Sequence, residues 1–328
     1  MTQSAFRMPA PRGLLARLCC PVCLHDRGRE AGLRAEEARL VCQDCGAAYD
    51  VRGTIPDLRA PLDPTVPRDD LDGSARRFYE KVYEEGTYGR DVQDEHLDPL
   101  RELLGDLPPD RCVLELGPGR GALQGLHPGY VATDLSVQAL AQHLKAPAFA
   151  ADIQRLPLRA GTVDFVYTVA TLEHVPRPER ALEEIARVLA PGGRAYLAPA
   201  WNCRSWAAEG LHVRPYRDLT FTQKLRKLTI PVRDSLIWRG LFAIPKRTLR
   251  RLAWRLGGTP TRFRYRRLQA NFEVFWASDS DATAQLDPHE AALYYQARGW
   301  EVLEPRGTLR AIFHRAQPVI VRKHLAPR

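Results

Sequence analysis

One stretch constrains this chain more than any other: Val113-Leu114-Glu115-Leu116-Gly117-Pro118-Gly119-Arg120-Gly121. An apolar strand, Arg111–Leu116, runs into glycines at alternate positions. Glycine permits positive φ and close backbone approach, so a ligand can sit where the strand ends and a helix is expected to start. The spacing is E-x-G-x-G-x-G, not the G-x-G-x-x-G of dinucleotide folds. The pattern then alternates. Strand Tyr130–Thr133 ends at Asp134, and a helix capped by Ser136 runs to Lys145. Strand Ala148–Ala150 leads to Asp152, and strand Val163–Val169 carries Asp164 near its start. Helix Pro178–Leu189 has Ala181, Leu182, Ile185, Val188 and Leu189 at helical spacing and stops at Pro191-Gly192-Gly193 before strand Arg194–Ala198. Helix Pro288–Arg298 and strands Glu301–Leu303 and Leu309–Val321 close the chain. Such alternation predicts an α/β fold with a parallel sheet.

Ligands of open α/β sheets bind outside the carboxyl ends of the strands. Asp134 is placed there to accept both hydroxyls of a ribose, and Asp152 to face an adenine amino group. Taken singly, each is an ordinary turn aspartate; their joint spacing after a glycine turn points to a nucleoside.

Residues 75–200 resemble the class I methyltransferases, in particular the branch of ubiquinone and menaquinone biosynthesis. The matching residues are Val113–Gly121, Asp134, Asp152–Pro157, Thr171-Leu172-Glu173-His174-Val175 and Pro178–Leu189 with Pro191-Gly192-Gly193. The resemblance implies a Rossmann-like, mostly parallel seven-stranded sheet and S-adenosyl-L-methionine as cofactor. It implies that Gly117, Gly119 and Gly121 wrap the methionine part, that Asp134 holds the ribose and that Asp152 and Ile153 flank the adenine. Glu115 and Leu135 are read as cofactor-binding positions beside them. One of Tyr79, Tyr83 and Tyr88 could close over the cofactor, or all three could pack a lead-in helix.

Methyl transfer is an in-line displacement from a sulfonium, so the protein mainly aligns the reactants and excludes water. A base is required only for a poorly acidic hydroxyl. Glu173 and His174 are the candidate catalytic residues, His174 as base; a purely local hydrogen-bonding role for His174 stays open. Some relatives bind a metal here through Glu-x-x-Glu-His. Ala170 stands at the first position, which argues against a catalytic metal.

Five of the seven cysteines precede residue 46. Cys20-x2-Cys23 and Cys42-x2-Cys45, 18 residues apart, have the spacing of a four-thiolate site for structural Zn²⁺, whereas a redox pair would open a βαβ unit. Leu18–Leu58 resembles the zinc-ribbon activator subunit of tRNA and release-factor methyltransferases, which implies activation in cis.

The formal charge is +9, but 201–267 alone hold 17 Lys or Arg against Glu209, Asp218 and Asp234, a net of +14. This basic lid insertion includes Leu249, Leu252 and Leu256 at helical spacing among cations, and Arg262–Arg266 alternates like a strand. Its partner is expected to be anionic: a small, lipid-linked or glycan-linked substrate, an anionic membrane surface touched peripherally, or, with less support, nucleic acid. A solvated lid remains open. With no apolar run long enough for a signal or a span, the expected location is cytoplasmic, at most peripheral to the inner face of the membrane. The expected organisation is a zinc-ribbon module (1–60), a linker (61–73), the cofactor-binding core (74–200), the lid (201–285) and a sheet-completing end (286–328). The expected activity is methyl transfer, favouring oxygen; RNA or translation-factor methylation and a non-catalytic cofactor-binding scaffold are the alternatives. Oligomeric state is not encoded in any motif.

Overall fold

The computed structural model describes residues 13–60, 71–86, 94–257, 262–274, 276 and 279–325. Tyr88 and most of the expected linker, 61–70, lie outside them. The chain divides into two compact units. One comprises Met1–Val169, Arg180–Arg194 and Leu325–Arg328; the other comprises Ala170–Glu179 and Ala195–His324.

The first unit begins with α1 (Leu14–Arg17) and α2 (Pro21–Arg27), then a four-stranded antiparallel sheet of β1 (Leu33–Glu36), β2 (Arg39–Cys42), β3 (Ala48–Arg52) and β4 (Ile55–Pro56). This small sheet is tied to the strands beyond it: the Leu58 amide donates to the Ala150 carbonyl at 2.9 Å and the Cys19 amide to the Pro157 carbonyl at 2.9 Å. Helices α3 (Leu71–Glu84) and α4 (Asp94–Gly105) lead into β5 (Val113–Leu116), β6 (Tyr130–Asp134), α5 (Val137–His143), β7 (Ala148–Ala150) and β8 (Val163–Val169). β5 pairs in parallel with both β6 and β8, and β6 with β7. These strands are buried almost throughout, as strands covered on both faces must be.

After α6 (Pro178–Val188) comes β9 (Leu189–Ala198). The second unit continues with α7 (Phe221–Asp234), α8 (Leu236–Gly257), the two-residue strands β10 (Arg266–Arg267) and β11 (Ala284–Gln285), α9 (Pro288–Gln296), β12 (Glu301–Glu304), α10 (Thr308–Phe313) and β13 (Val319–Arg322). The main sheet is Rossmann-like, seven-stranded and mostly parallel, in the order β12-β13-β9-β8-β5-β6-β7, with β12 and β13 antiparallel. Among the described residues no helix is long and apolar enough to cross a membrane.

Four local expectations are corrected. No regular helix follows the glycine turn; hydrogen-bonded turns do, because Gly119, Gly121 and Gly125 all take positive φ, which a right-handed helix cannot contain. β9 starts at Leu189, before Pro191-Gly192-Gly193. The segment expected to be one strand from Leu309 is α10 followed by β13. Of Arg262–Arg266, only Arg266 is in a strand.

Candidate functional site

In the first unit, β5 and β6 deliver their carboxyl ends side by side. The Gly117 amide donates to the Thr133 carbonyl at 2.8 Å, fixing the start of the turn. Asp134 is buried and bridges both strands: one carboxylate oxygen accepts from the Gly119 amide at 3.3 Å, the other from the Ser136 amide at 2.9 Å. Burial raises its pKa to about 6, against the pull of those amides. Gly119 has φ 51°, and a Cβ there would lie 2.9 Å from the Tyr83 hydroxyl. Among the described residues Tyr83 is therefore the tyrosine that covers the turn, while Tyr79 packs edge-on against Phe78. Gly121 also has positive φ, and its amide donates to the Pro118 carbonyl.

The remaining expected cofactor positions are also in this unit. Glu115 is engaged inside the sheet, where the Tyr130 hydroxyl donates to its carboxylate and the Tyr167 hydroxyl lies 3.2 Å away. Burial raises its pKa to about 7. Ile153 is buried. Asp152 accepts from the Gln154 amide at 2.8 Å, and the Gln154 side chain reaches both of its oxygens.

Glu173 and His174 lie in the second unit, in a short 3₁₀ turn. His174 Nδ1 is 3.2 Å from an Asp281 oxygen, and Nε2 is 3.7 Å from Glu173 Oε1, which also accepts from the Ala200 amide at 2.9 Å. Glu173 and Asp281 are fully buried. Burial alone would lower the His174 pKa, but Asp281 and Glu173 raise it to about 10, so the imidazolium is the form held at neutral pH. The ligand atoms of Glu173, His174 and Asp279 all lie within 4.8 Å of one another. The acid absent at Ala170 is thus matched by one from a distant segment. Ala170 and Asp279 both take positive φ, a strained conformation for residues with a Cβ.

Comparison with known proteins adds a family match over part of the chain. Residues 114–197 match the model of a family described as "methyltransferase domain". The chain carries a methyltransferase domain. An uncharacterized 37.1 kDa protein in transposon TN4556 of Streptomyces fradiae is 29% identical over 248 residues, 69% of this chain and 62% of that protein. The tRNA (carboxymethyluridine(34)-5-O)-methyltransferase ALKBH8 of Macaca fascicularis is 29% identical over 164 residues, 47% of this chain and 24% of that protein. The chain thus spans less than two thirds of the length of either relative. A solved complex of the Haloferax volcanii Trm112 methyltransferase activator with a methyltransferase overlays with a TM-score of 0.31, at 24% identity, over 46% of this chain and 65% of that one.

In the same unit as the glycine turn the four expected cysteines converge. Cys20 and Cys45 sulfurs are 3.7 Å apart, Cys23 and Cys42 sulfurs 3.8 Å, and all four lie within 4.8 Å of one another. Zn–S bonds of ~2.3 Å in a tetrahedron put sulfurs about 3.8 Å apart, so the donor set fits Zn²⁺ and is far too open for disulfides. Amides of Asp44 and Cys45 point at Cys42 Sγ, and that of Cys23 at Cys20 Sγ, as knuckle turns around thiolates do. These bonds help lower the Cys42 pKa to about 7, whereas burial raises that of Cys23 to about 12.

The sequence reading missed the residues that connect the cysteine module to the turn. Arg59, with a side chain only 3% exposed, pairs with Asp57 and Glu80, each at 2.5 Å, and donates to the Leu135 carbonyl at 2.8 Å. Glu80, from α3, accepts from the Ser136 hydroxyl and from the Val137 and Gln138 amides, capping α5 directly after Asp134. Arg59 holds the Asp57 and Glu80 carboxylates below their ordinary pKa despite their burial. Nothing in local spacing marks this chain of ion pairs; its only signal is a lone Asp-Leu-Arg after β4.

Proposed function

We propose that this chain transfers a methyl group from S-adenosylmethionine to the oxygen of an anionic small-molecule, lipid-linked or glycan-linked acceptor. The observation that carries the cofactor half is the Asp134 carboxylate fixed between the Gly119 and Ser136 amides where two parallel strands end. When bound, the cofactor supplies an electrophilic methyl on a good leaving group. Gly117, Gly119 and Gly121 would line it with backbone under the Tyr83 hydroxyl. Asp134, with the Leu135 backbone beside it, would hold the ribose, and Asp152 and Ile153 the adenine. Glu115 supports the strand from within through its tyrosine bonds.

The acceptor half rests on the second unit. A cavity of about 660 Å³ there is lined by Arg204, Arg233, Lys246, Arg264 and Arg266 around Trp206 and Trp238. Cationic walls on an aromatic floor suit an anionic acceptor. The His174 imidazolium would orient an acceptor oxygen; as a base it has to work from its minority neutral form at neutral pH. The four-thiolate set would hold a structural Zn²⁺ and, through Arg59 and Glu80, steady the cofactor loop. The resemblance of Thr171–Val175 supports membership of the ubiquinone-like branch.

A second reading, methylation of RNA, is favoured by the match to a tRNA methyltransferase. Incubating the full chain with labelled S-adenosylmethionine and cell extract separates the readings. Label in the lipid or small-molecule fraction is the expected result, and label in RNA establishes the second reading. Cofactor binding by calorimetry with label in no fraction would favour the non-catalytic cofactor-binding scaffold.

A further inference from the structure

Helices α7 and α8 are amphipathic the wrong way round. On α7, Phe221, Leu225, Leu228 and Val232 share one face (i, i+4, i+7, i+11), and all four are exposed. On α8, Trp238, Leu241, Phe242, Leu249, Leu252 and Leu256 form a second stripe, again exposed, with Leu256 at 80%. At 1.5 Å per residue that stripe runs about 27 Å. The polar residues point the other way. Gln223 bonds Glu209, Lys227 lies over the Tyr216 ring and bonds the Arg214 carbonyl, and Arg233 lies 4.5 Å from the centre of the Trp206 ring. Arg247 pairs with Asp287 and donates to the carbonyls of Ile312 and His314, Arg250 pairs with Glu290, and Arg251 donates to Gln296.

Burying arginines while exposing leucines is costly in water alone, so the outer face is made for a non-aqueous medium. Its charge says which. Residues 221–257 hold ten Lys or Arg and one acid, Asp234, which is itself paired with Arg204 at 2.8 Å. Lys224 flanks the apolar stripes. Two copies of this face would bring like charges together, which disfavours self-association. RNA would meet the leucines first, because Lys227, Arg233, Arg247, Arg250 and Arg251 are committed inward.

We propose that α7 and α8 dock this chain on an anionic lipid bilayer, lying in the interface with their leucine face among the acyl chains and Lys224 at the phosphates. The contact is peripheral, since neither helix can span. It requires no methyl donor, so it stands or falls separately from the transferase reading.

The test is flotation of the full chain with vesicles of phosphatidylcholine alone or with about one third phosphatidylglycerol. The protein is expected to float with the anionic vesicles at low salt, and not with the neutral ones. The exposed double substitution L228E/L252E should reduce the floating fraction at least about tenfold with an unchanged circular dichroism spectrum. Protein left at the bottom with anionic vesicles, or a variant that floats like the parent, overturns the proposal. So does a dimer that L228E/L252E dissolves, or retention on RNA that the same variant abolishes.

Discussion

The glycine turn and the α7–α8 pair solve opposite problems with the same residue types. At the turn, apolar strands are buried, and the charges that remain, Asp57, Arg59, Glu80 and Asp134, are chained together behind the loop they support. In α8, Arg247 and Arg251 are buried while Leu241, Leu249, Leu252 and Leu256 are exposed. Charge burial at the turn serves position, because Arg59, Glu80 and Asp134 each fix a backbone amide or carbonyl of the segment that follows β6. Charge burial under α8 frees an apolar face for something outside the chain. A buried arginine is therefore informative only together with what its burial leaves on the surface.

The contrast can be broken most severely at the cysteines. Chelation, or Cys42→Ser, would remove the proposed structural Zn²⁺, whose binding is worth about 10–16 kcal/mol in comparable small sites. The expected outcome is loss of strands β1–β4 by circular dichroism and a large fall in the first unit's unfolding temperature. An unchanged melting curve after exhaustive chelation would show that the cysteines hold no structural metal. Next comes Arg59→Met, which strands the Asp57 and Glu80 carboxylates. Breaking a buried pair from one side costs about 3–5 kcal/mol, at the lower end here because Glu80 is partly exposed, and urea unfolding measures it.

A pH titration sharpens the comparison. The folded His174 pKa, near 10, lies above its unfolded value, so its contribution to stability is fully present below about pH 6.5 and lost as pH rises through about 10. Asp57 and Glu80 are depressed, so theirs is lost in acid instead. Stability of the parent should fall between pH 7 and 10, and His174→Asn should flatten that slope; equal slopes would place His174 outside the Asp281 ion pair. The smallest effect is expected on the outer face: Leu225→Glu should change stability by less than about 0.5 kcal/mol, as exposed substitutions do. A loss of several kcal/mol would mean that this leucine is covered within the chain.

The sheet and the meeting of the glycine turn with Asp134 are legible in the sequence because buried strands, glycines and terminal aspartates signal locally. The four cysteines are legible for the same reason. Glu80, Arg59, Asp279 and Asp281 are not, since each matters through a partner far along the chain. The helical character of 221–257 is only partly visible, because its apolar stripe reads identically whether it faces a core or a bilayer. The turn after Gly121 reads as a helix start because positive φ at Gly125 has no signature beyond the glycine itself.

Calorimetric titration of S-adenosylmethionine into the parent chain and Asp134→Ala tests the central claim most directly. The account predicts binding by the parent, and a loss of about 1.5–3 kcal/mol in the variant, the scale of hydrogen bonds to a charged group. Equal affinity for both chains would contradict it.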